Sequence, residues 1–299
     1  MNDIKLETTL ADELNFTEAL EALRESKFFL ITVIAISLIL GMRSAFLQND
    51  VYTSQTVLTE STESNSGSTG GLGGISMLIG GVSDGPSKAN TAIATVRSRD
   101  FFIKLLEYDR VLENLVAVKK YDPDSKNIIY DSDIYDEASG KWLAPVPTPL
   151  NVYGTYQSMI TGEIIKGGFT EFTVTHQSPF FAYEFLSLIV EELNNQTRQR
   201  HMRESEEALE YLNNELAFTS EQEIRIAIGQ LIESHLKKLT MAKVKKNYVL
   251  EPLDNPFIPE IISGPDRPRI IISYTFFGFF ISFIIVLTSF FLFGRKKIF

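Results

Sequence analysis

The chain contains no cysteine. That excludes a disulfide framework, a thiolate nucleophile and a cysteine-ligated zinc site. It has only three histidines, His176, His201 and His235. They fall in no HExxH pattern and no paired spacing of the kind metal sites use, so surface or structural roles are expected and no metal or cofactor is. Positive charge is also scarce: 28 lysines and arginines stand against 38 acids, for a net charge of −10. A chain that acidic lacks the basic footprint of a nucleic-acid or anionic-lipid binder. The glycines between Ser64 and Ser87 are followed by no Gly-Lys-Ser/Thr, which removes a phosphate-cradling loop.

What is present is apolar and concentrated. From Ile270 to Phe293 there is no charged residue, and Arg295, Lys296 and Lys297 follow at once. About 20 helical residues span a hydrocarbon core of roughly 30 Å, so the block is read as a membrane helix. Phe28 to about Leu47 forms a second block, whose core Phe28–Leu40 is interrupted only at Thr32 and Ser37, with Arg43 near its far end. Acids dominate the residues before it, which is unlike the basic head of a signal peptide. It is therefore read as an uncleaved span. Two spans place both termini on one side. Arg24, Lys27, Arg295, Lys296 and Lys297 outweigh Arg43, Arg267 and Arg269, which places the termini in the cytoplasm. The expected layout is a cytoplasmic segment 1–27, spans at 28–47 and 270–293, an extracytoplasmic domain 48–269 and a cytoplasmic tail 294–299.

Within the domain, VYTSQTVLTE (Val51–Glu60) is β-branched and roughly alternating and reads as a strand. The Gly/Ser-rich stretch that follows carries an apolar island, Ile75, Met77, Leu78 and Ile79. It is either a flexible linker or a loop docked on a neighbouring subunit. Asn90–Tyr108 has helical spacing and gives one or two helices. Tyr121–Pro149 reads as turns with one strand at Asn127–Tyr130, and a helix follows over Leu150–Met159. Two short strands are expected in Glu163–His176. From Pro179 to Phe218 the pattern is helical, with Pro179 at an allowed first-turn position and a polar stretch from Asn194 to Glu207. That middle leaves any core of its own, where only another helix or a subunit can cover it. A second helix spans 220–246, with Ser220 and Glu223 read as a capping box. Asn247–Glu260 returns as a strand broken by Pro252 and Pro256.

Before the second block, PEIISGPDRPRIII is stiff and cationic. Proline removes an N–H and restricts the residue before it. Pro259, Pro265 and Pro268 are thus expected to hold the chain extended up to the bilayer, with Arg267 and Arg269 at the headgroups; an ordinary linker accounts for the same residues. Gly278 and Ser282 make a small-xxx-small pair, a pattern that also arises by chance. Catalytic candidates are few. Asp131-Ser132-Asp133 has the DxD form of some glycosyltransferases, and Asp122 to Asp133 imitates the start of a calcium loop without its glycine and final glutamate. Neither builds a catalytic constellation, and the chain is read as non-enzymatic.

The order of these features resembles the polysaccharide co-polymerase family, the Wzz-type chain-length determinants. GGLGGISMLIGG, SRDFFIKLLE, FTVTHQSPFFAYEFLSLIVEELN and the proline-rich segment carry the resemblance. It implies an α+β protein of the bacterial inner membrane: two membrane helices flank a periplasmic base domain with a long protruding helix. It further implies a homo-oligomeric ring in the lipid bilayer that sets the length of O-antigen or a related polysaccharide. Its partners would be a membrane polymerase and the growing polysaccharide chain, with no nucleic acid. Pro259, Pro265, Arg267 and Pro268 are then candidates for coupling to the polymerase, and the Ile75–Ile79 island for subunit contact. Some relatives carry a tyrosine kinase after the second span; this chain stops six residues past Phe293, so that activity is not expected. An adaptor for capsule export shares the topology. A sensor is disfavoured by the short cytoplasmic segments, and a glycosyltransferase rests on Asp131 and Asp133 alone.

Overall fold

The computed structural model describes residues 23–24, 26–61 and 87–293. The chain is mixed α and β, with a long apolar helix near each end and a long central helix. It divides into two compact units, one holding the two apolar helices and the other formed by Val51–Ser263. The island Ile75, Met77, Leu78 and Ile79 lies outside the described residues, as do the tail 294–299 and nearly all of the head.

In the first unit, α1 (Lys27–Leu47) and the last helix, α8 (Arg267–Phe293), are both long and apolar enough to cross a membrane, with mean hydropathies of 2.1 and 2.5 over their apolar windows. They run antiparallel: Gly41 of α1 faces Ile271 and Tyr274, while Ser37 faces Gly278. Small residues permit the approach. Gly41 and Ala45 of α1 and Gly278, Ser282 and Val286 of α8 are buried, whereas most of the large side chains of both helices are exposed. That pattern suits helices whose other faces meet lipid. α8 starts earlier than the apolar block alone suggests. Asp266 accepts from the Arg269 amide at 3.1 Å, which is an N-cap, and Pro268 lies in the first helical turn. Proline is tolerated there because that turn has no intrahelical use for its N–H. Pro268 therefore does not extend the chain before the helix, as the sequence suggests; it helps to start the helix.

The second unit is built on a four-stranded antiparallel sheet in the order β6–β7–β1–β8. Its strands are β1 (Tyr52–Glu60), β6 (Ile160–Ile164), β7 (Thr170–His176) and β8 (Leu250–Asp254). Alternation does the sorting. Tyr52, Ser54, Thr56 and Leu58 of β1 lie opposite His176, Val174, Phe172 and Thr170 of β7, and all eight are buried. The two buried hydroxyls of β1 are satisfied by carbonyls: Ser54 donates to Phe257 at 2.8 Å and Thr56 to Asp254 at 2.6 Å. β8 is an edge strand, which is why Pro252 is accommodated, and the register slips between Val57 and Leu58. The β6–β7 connection turns through Gly167 and Gly168, at φ of 95° and 81°, angles that a residue with a Cβ seldom adopts.

Helix α6 (Pro179–Phe218) begins against this sheet. Ser178 accepts from the Phe181 amide at 3.3 Å and Pro179 takes the first position. Phe181, Phe185, Leu186, Ile189 and Leu193 are then buried at helical spacing. Around them pack α2 (Lys88–Val96), α3 (Arg99–Leu105), α4 (Val111–Val116) and α5 (Pro149–Met159). Two hairpins fill the intervening stretch: β2 (Val118–Asp122) with β3 (Asn127–Tyr130), and β4 (Tyr135–Asp136) with β5 (Lys141–Trp142). Only β3 is evident from the sequence, since the Lys119-Lys120 pair hides the pattern of β2.

At 1.5 Å per residue, the 40 residues of α6 extend about 60 Å. The helix that covers its polar stretch is the chain's own α7 (Gln222–Val244). Ser205, Ile228 and Ala242 are buried at their contact, and Lys238 and Lys243 reach Glu204 and Glu206. The cap expected at Ser220 is absent. Glu221 is the N-cap residue and makes no side-chain capping bond, so Ser220 stands one residue too early to reach the exposed amides. At the turn between the helices Phe218 is 86% exposed, and Ile224 and Ile226 are also exposed.

Candidate functional site

The residues singled out from the sequence do not converge on one centre. Pro259 is buried in the second unit, whereas Pro265, Arg267 and Pro268 belong to the helix pair. Arg267 is engaged inside the chain. Its Nη2 donates to Asp50 Oδ1 at 2.6 Å, and its guanidinium stands 5.6 Å from the centre of the Phe46 ring. A charge-assisted bond and a cation–π contact together fix the arginine at the end of α1. Its Nε is buried without a partner among the described residues. Asp50, the first acid after the first apolar block, is the partner that sequence reading passed over.

Gly278 of α8 sits against Ser37 of α1. A Cβ built on it would overlap Ser37 Oγ and Cβ. Ser282 is buried on the same face and donates to the Phe279 carbonyl at 2.8 Å. Gly278 is thus occupied within the chain by Ser37, and the small residues Ser37 and Gly41 were legible in α1 as the same four-residue spacing.

The aspartates that imitate metal and sugar-nucleotide motifs build turns. Asp122 accepts from the Asp124 amide and from Ser125 Oγ, Asp131 accepts from the Asp133 amide, and Asp136 accepts from the Ala138 amide and from Ser139 Oγ. These bonds hold the carboxyls of Asp122 and Asp136 below their ordinary pKa range, chiefly through the serine hydroxyls. Among the described residues no group of three His, Cys, Asp or Glu side chains is placed to hold a metal.

His176 is a structural residue of the base. The Ser178 amide donates to its Nδ1 at 3.0 Å, so its Nε2 carries the proton and donates to the Asn114 carbonyl, also at 3.0 Å. Burial keeps the ring neutral and lowers its pKa to about 4. Tyr108 donates to the buried carboxylate of Glu192 at 2.7 Å, and that bond raises the phenol to about 12. Asn194, inside the stretch that reads as polar all round, is 2% exposed. Its Oδ1 accepts from the Val249 and Leu250 amides, and its Nδ2 donates to the Leu250 and Val190 carbonyls. It ties α6 to the start of β8.

Residues 12–108 match the family model described as "Chain length determinant protein", Wzz. Over this stretch the chain is similar to the chain length determinants. The match runs through α1, β1, α2 and α3, and therefore includes the first apolar helix and the first sheet strand. Gly278, Ser282 and the proline-arginine segment lie outside it. No curated protein matches the chain. Among solved structures, one titled a full-length bacterial polysaccharide co-polymerase is similar at 14% identity, over 93% of this chain and 98% of that one, with a TM-score of 0.38.

Proposed function

We propose that this Wzz-type chain is a non-catalytic, oligomeric regulator of polysaccharide length in the bacterial inner membrane. Its substrate chain would be lipopolysaccharide O-antigen or a related surface polymer. The observation that carries the reading is the match of residues 12–108 to the chain length determinant family. The two apolar helices near the ends support an integral protein with two spans. In this reading both termini are cytoplasmic and the body, Val51–Ser263, lies in the periplasm.

Oligomerisation is supported by the apolar side chains left uncovered where α6 turns into α7, namely Phe218, Ile224 and Ile226, which a second copy would remove from water. The island Ile75, Met77, Leu78 and Ile79 is a second proposed contact. A closed ring built from such surfaces needs two different patches on each subunit. Pro259, Pro265, Arg267 and Pro268 are proposed to transmit contact with the polymerase, and the ring to act by holding the polymerase or its product for a set number of additions.

The test is to delete the gene and complement it. Loss of a preferred polymer length with polymer still at the surface supports the regulator. Polymer trapped inside the cell would instead favour an export adaptor.

A further inference from the structure

The body contains a cleft of about 510 Å³ between the turn that joins α3 to α4, the β2–β3 hairpin and the first turns of α6. A cavity of that size takes a small ligand, not a folded partner. One wall is apolar and held in place. Phe180, Phe181 and Leu188 line it, and Phe181 is fixed between His176 and Phe185, with ring centres at 4.6 and 5.1 Å. Asn114 faces the same space. It is 9% exposed, its Oδ1 accepts from the Tyr130 hydroxyl at 2.6 Å, and its Nδ2 has no hydrogen-bond partner among the described residues. That N–H is not sealed from solvent, so it is free to donate to a ligand in the cleft.

The rim carries both signs of charge. Arg110 and Lys126 stand on turn residues at φ of 58° and 54°, on two different sides of the cleft. Asp109, Glu137 and Glu184 complete the rim. None of these five side chains makes an ion pair or hydrogen bond among the described residues. A polyanion would meet three carboxylates and a polycation would meet two cations, so neither is matched. A hydroxyl is matched by both, since it donates to carboxylates and accepts from guanidinium, ammonium and amide N–H groups. A ring with one C–H face and a hydroxyl edge uses the aromatic wall as well.

We propose that this cleft is a binding subsite for a short segment of neutral glycan. It rests on the reading of the chain as a polysaccharide-length regulator and gives that reading a point of contact with the polymer. Asn114 supplies an amide donor, the half-buried Phe180 the apolar face, backed by the buried Phe181, and Arg110, Lys126, Glu137 and Glu184 the hydroxyl contacts.

The test uses the full chain in lipid nanodiscs. The probes are oligosaccharides of two to four sugars released by partial hydrolysis from the surface polysaccharide of the source strain, followed by saturation-transfer NMR. Trigalacturonate and an uncharged polar peptide serve as competitors. Saturable binding is expected, weakened about tenfold by Asn114→Ala, as loss of one buried hydrogen bond implies. Glu184→Ala and Arg110→Gly, both at exposed positions and the second suited to a left-handed φ, should weaken it with folding intact. No saturable binding, binding indifferent to all three substitutions, or a preference for trigalacturonate or the peptide would overturn the subsite. The polymer profile of the deletion strain separates the two claims. Lost length control without binding removes the subsite and keeps the regulator; binding with an unaltered profile keeps the subsite and removes the regulator.

Discussion

Replacing Asn194 by alanine should loosen the joint between the long helix and the sheet. The side chain is 2% exposed and serves the backbone of both elements. Its removal leaves the Val249 and Leu250 amides without the acceptor they reach at 2.9 and 3.2 Å, and the Leu250 carbonyl without a donor at 3.0 Å. Each buried polar group left unmade costs about 1–3 kcal/mol. Water entering the vacated space would recover part of that, so the net loss is about 3–5 kcal/mol. Against a domain stability of roughly 5–15 kcal/mol this is a large fraction. The assay is urea unfolding of the full chain in mild detergent, with hydrogen exchange followed on the peptide containing Val249 and Leu250. Asn213, exposed on the same helix, is the control, and Asn213→Ala should stay within about 0.5 kcal/mol. An Asn194→Ala protein with an unshifted midpoint and unchanged exchange would refute the reasoning.

Acid should destabilise the body through His176. Burial depresses its folded pKa from 6.5 to about 4, so between those values the unfolded chain binds the extra proton and stability falls as pH falls, levelling below pH 4. The loss between pH 7 and 5 should be about 2 kcal/mol. His176→Gln should remove most of that slope; an equally steep slope in the variant would contradict the assignment. Gly278→Val should destabilise the helix pair by about 1–3 kcal/mol, as overpacking does, because its Cβ would overlap Ser37 Cβ. Adding Ser37→Gly should restore most of the loss, read as the thermal aggregation midpoint in detergent. A variant as stable as the parent would show that the helices are not held at this distance.

Much of the architecture was legible because its signals are local. Ser178 and Pro179 announce the start of α6, and Phe181, Phe185, Ile189 and Leu193 repeat at helical spacing down its first turns. The two apolar blocks needed only length and composition. The sheet strand β1 showed in its β-branched residues. What escaped depends on partners that arrive from far along the chain. Asn194 reads as a solvated residue until β8, 55 residues later, brings two amides to it. His176 ends β7 as its sequence suggests, but its Nε2–H donates to the Asn114 carbonyl, 62 residues earlier, which no local pattern announces. Ser220 failed as a cap because the helix starts one residue further on than the pattern suggests. The cleft is in the same category: Arg110, Lys126 and Glu184 lie in three unrelated segments, and no spacing rule joins them.

The most direct test of the central claim is the length distribution of surface polysaccharide in cells lacking the gene and in cells complemented with the full chain. The account predicts that deletion abolishes the preferred length while polymer still reaches the surface, and that the full chain restores a narrow modal band. A distribution that is the same with and without the protein would contradict it.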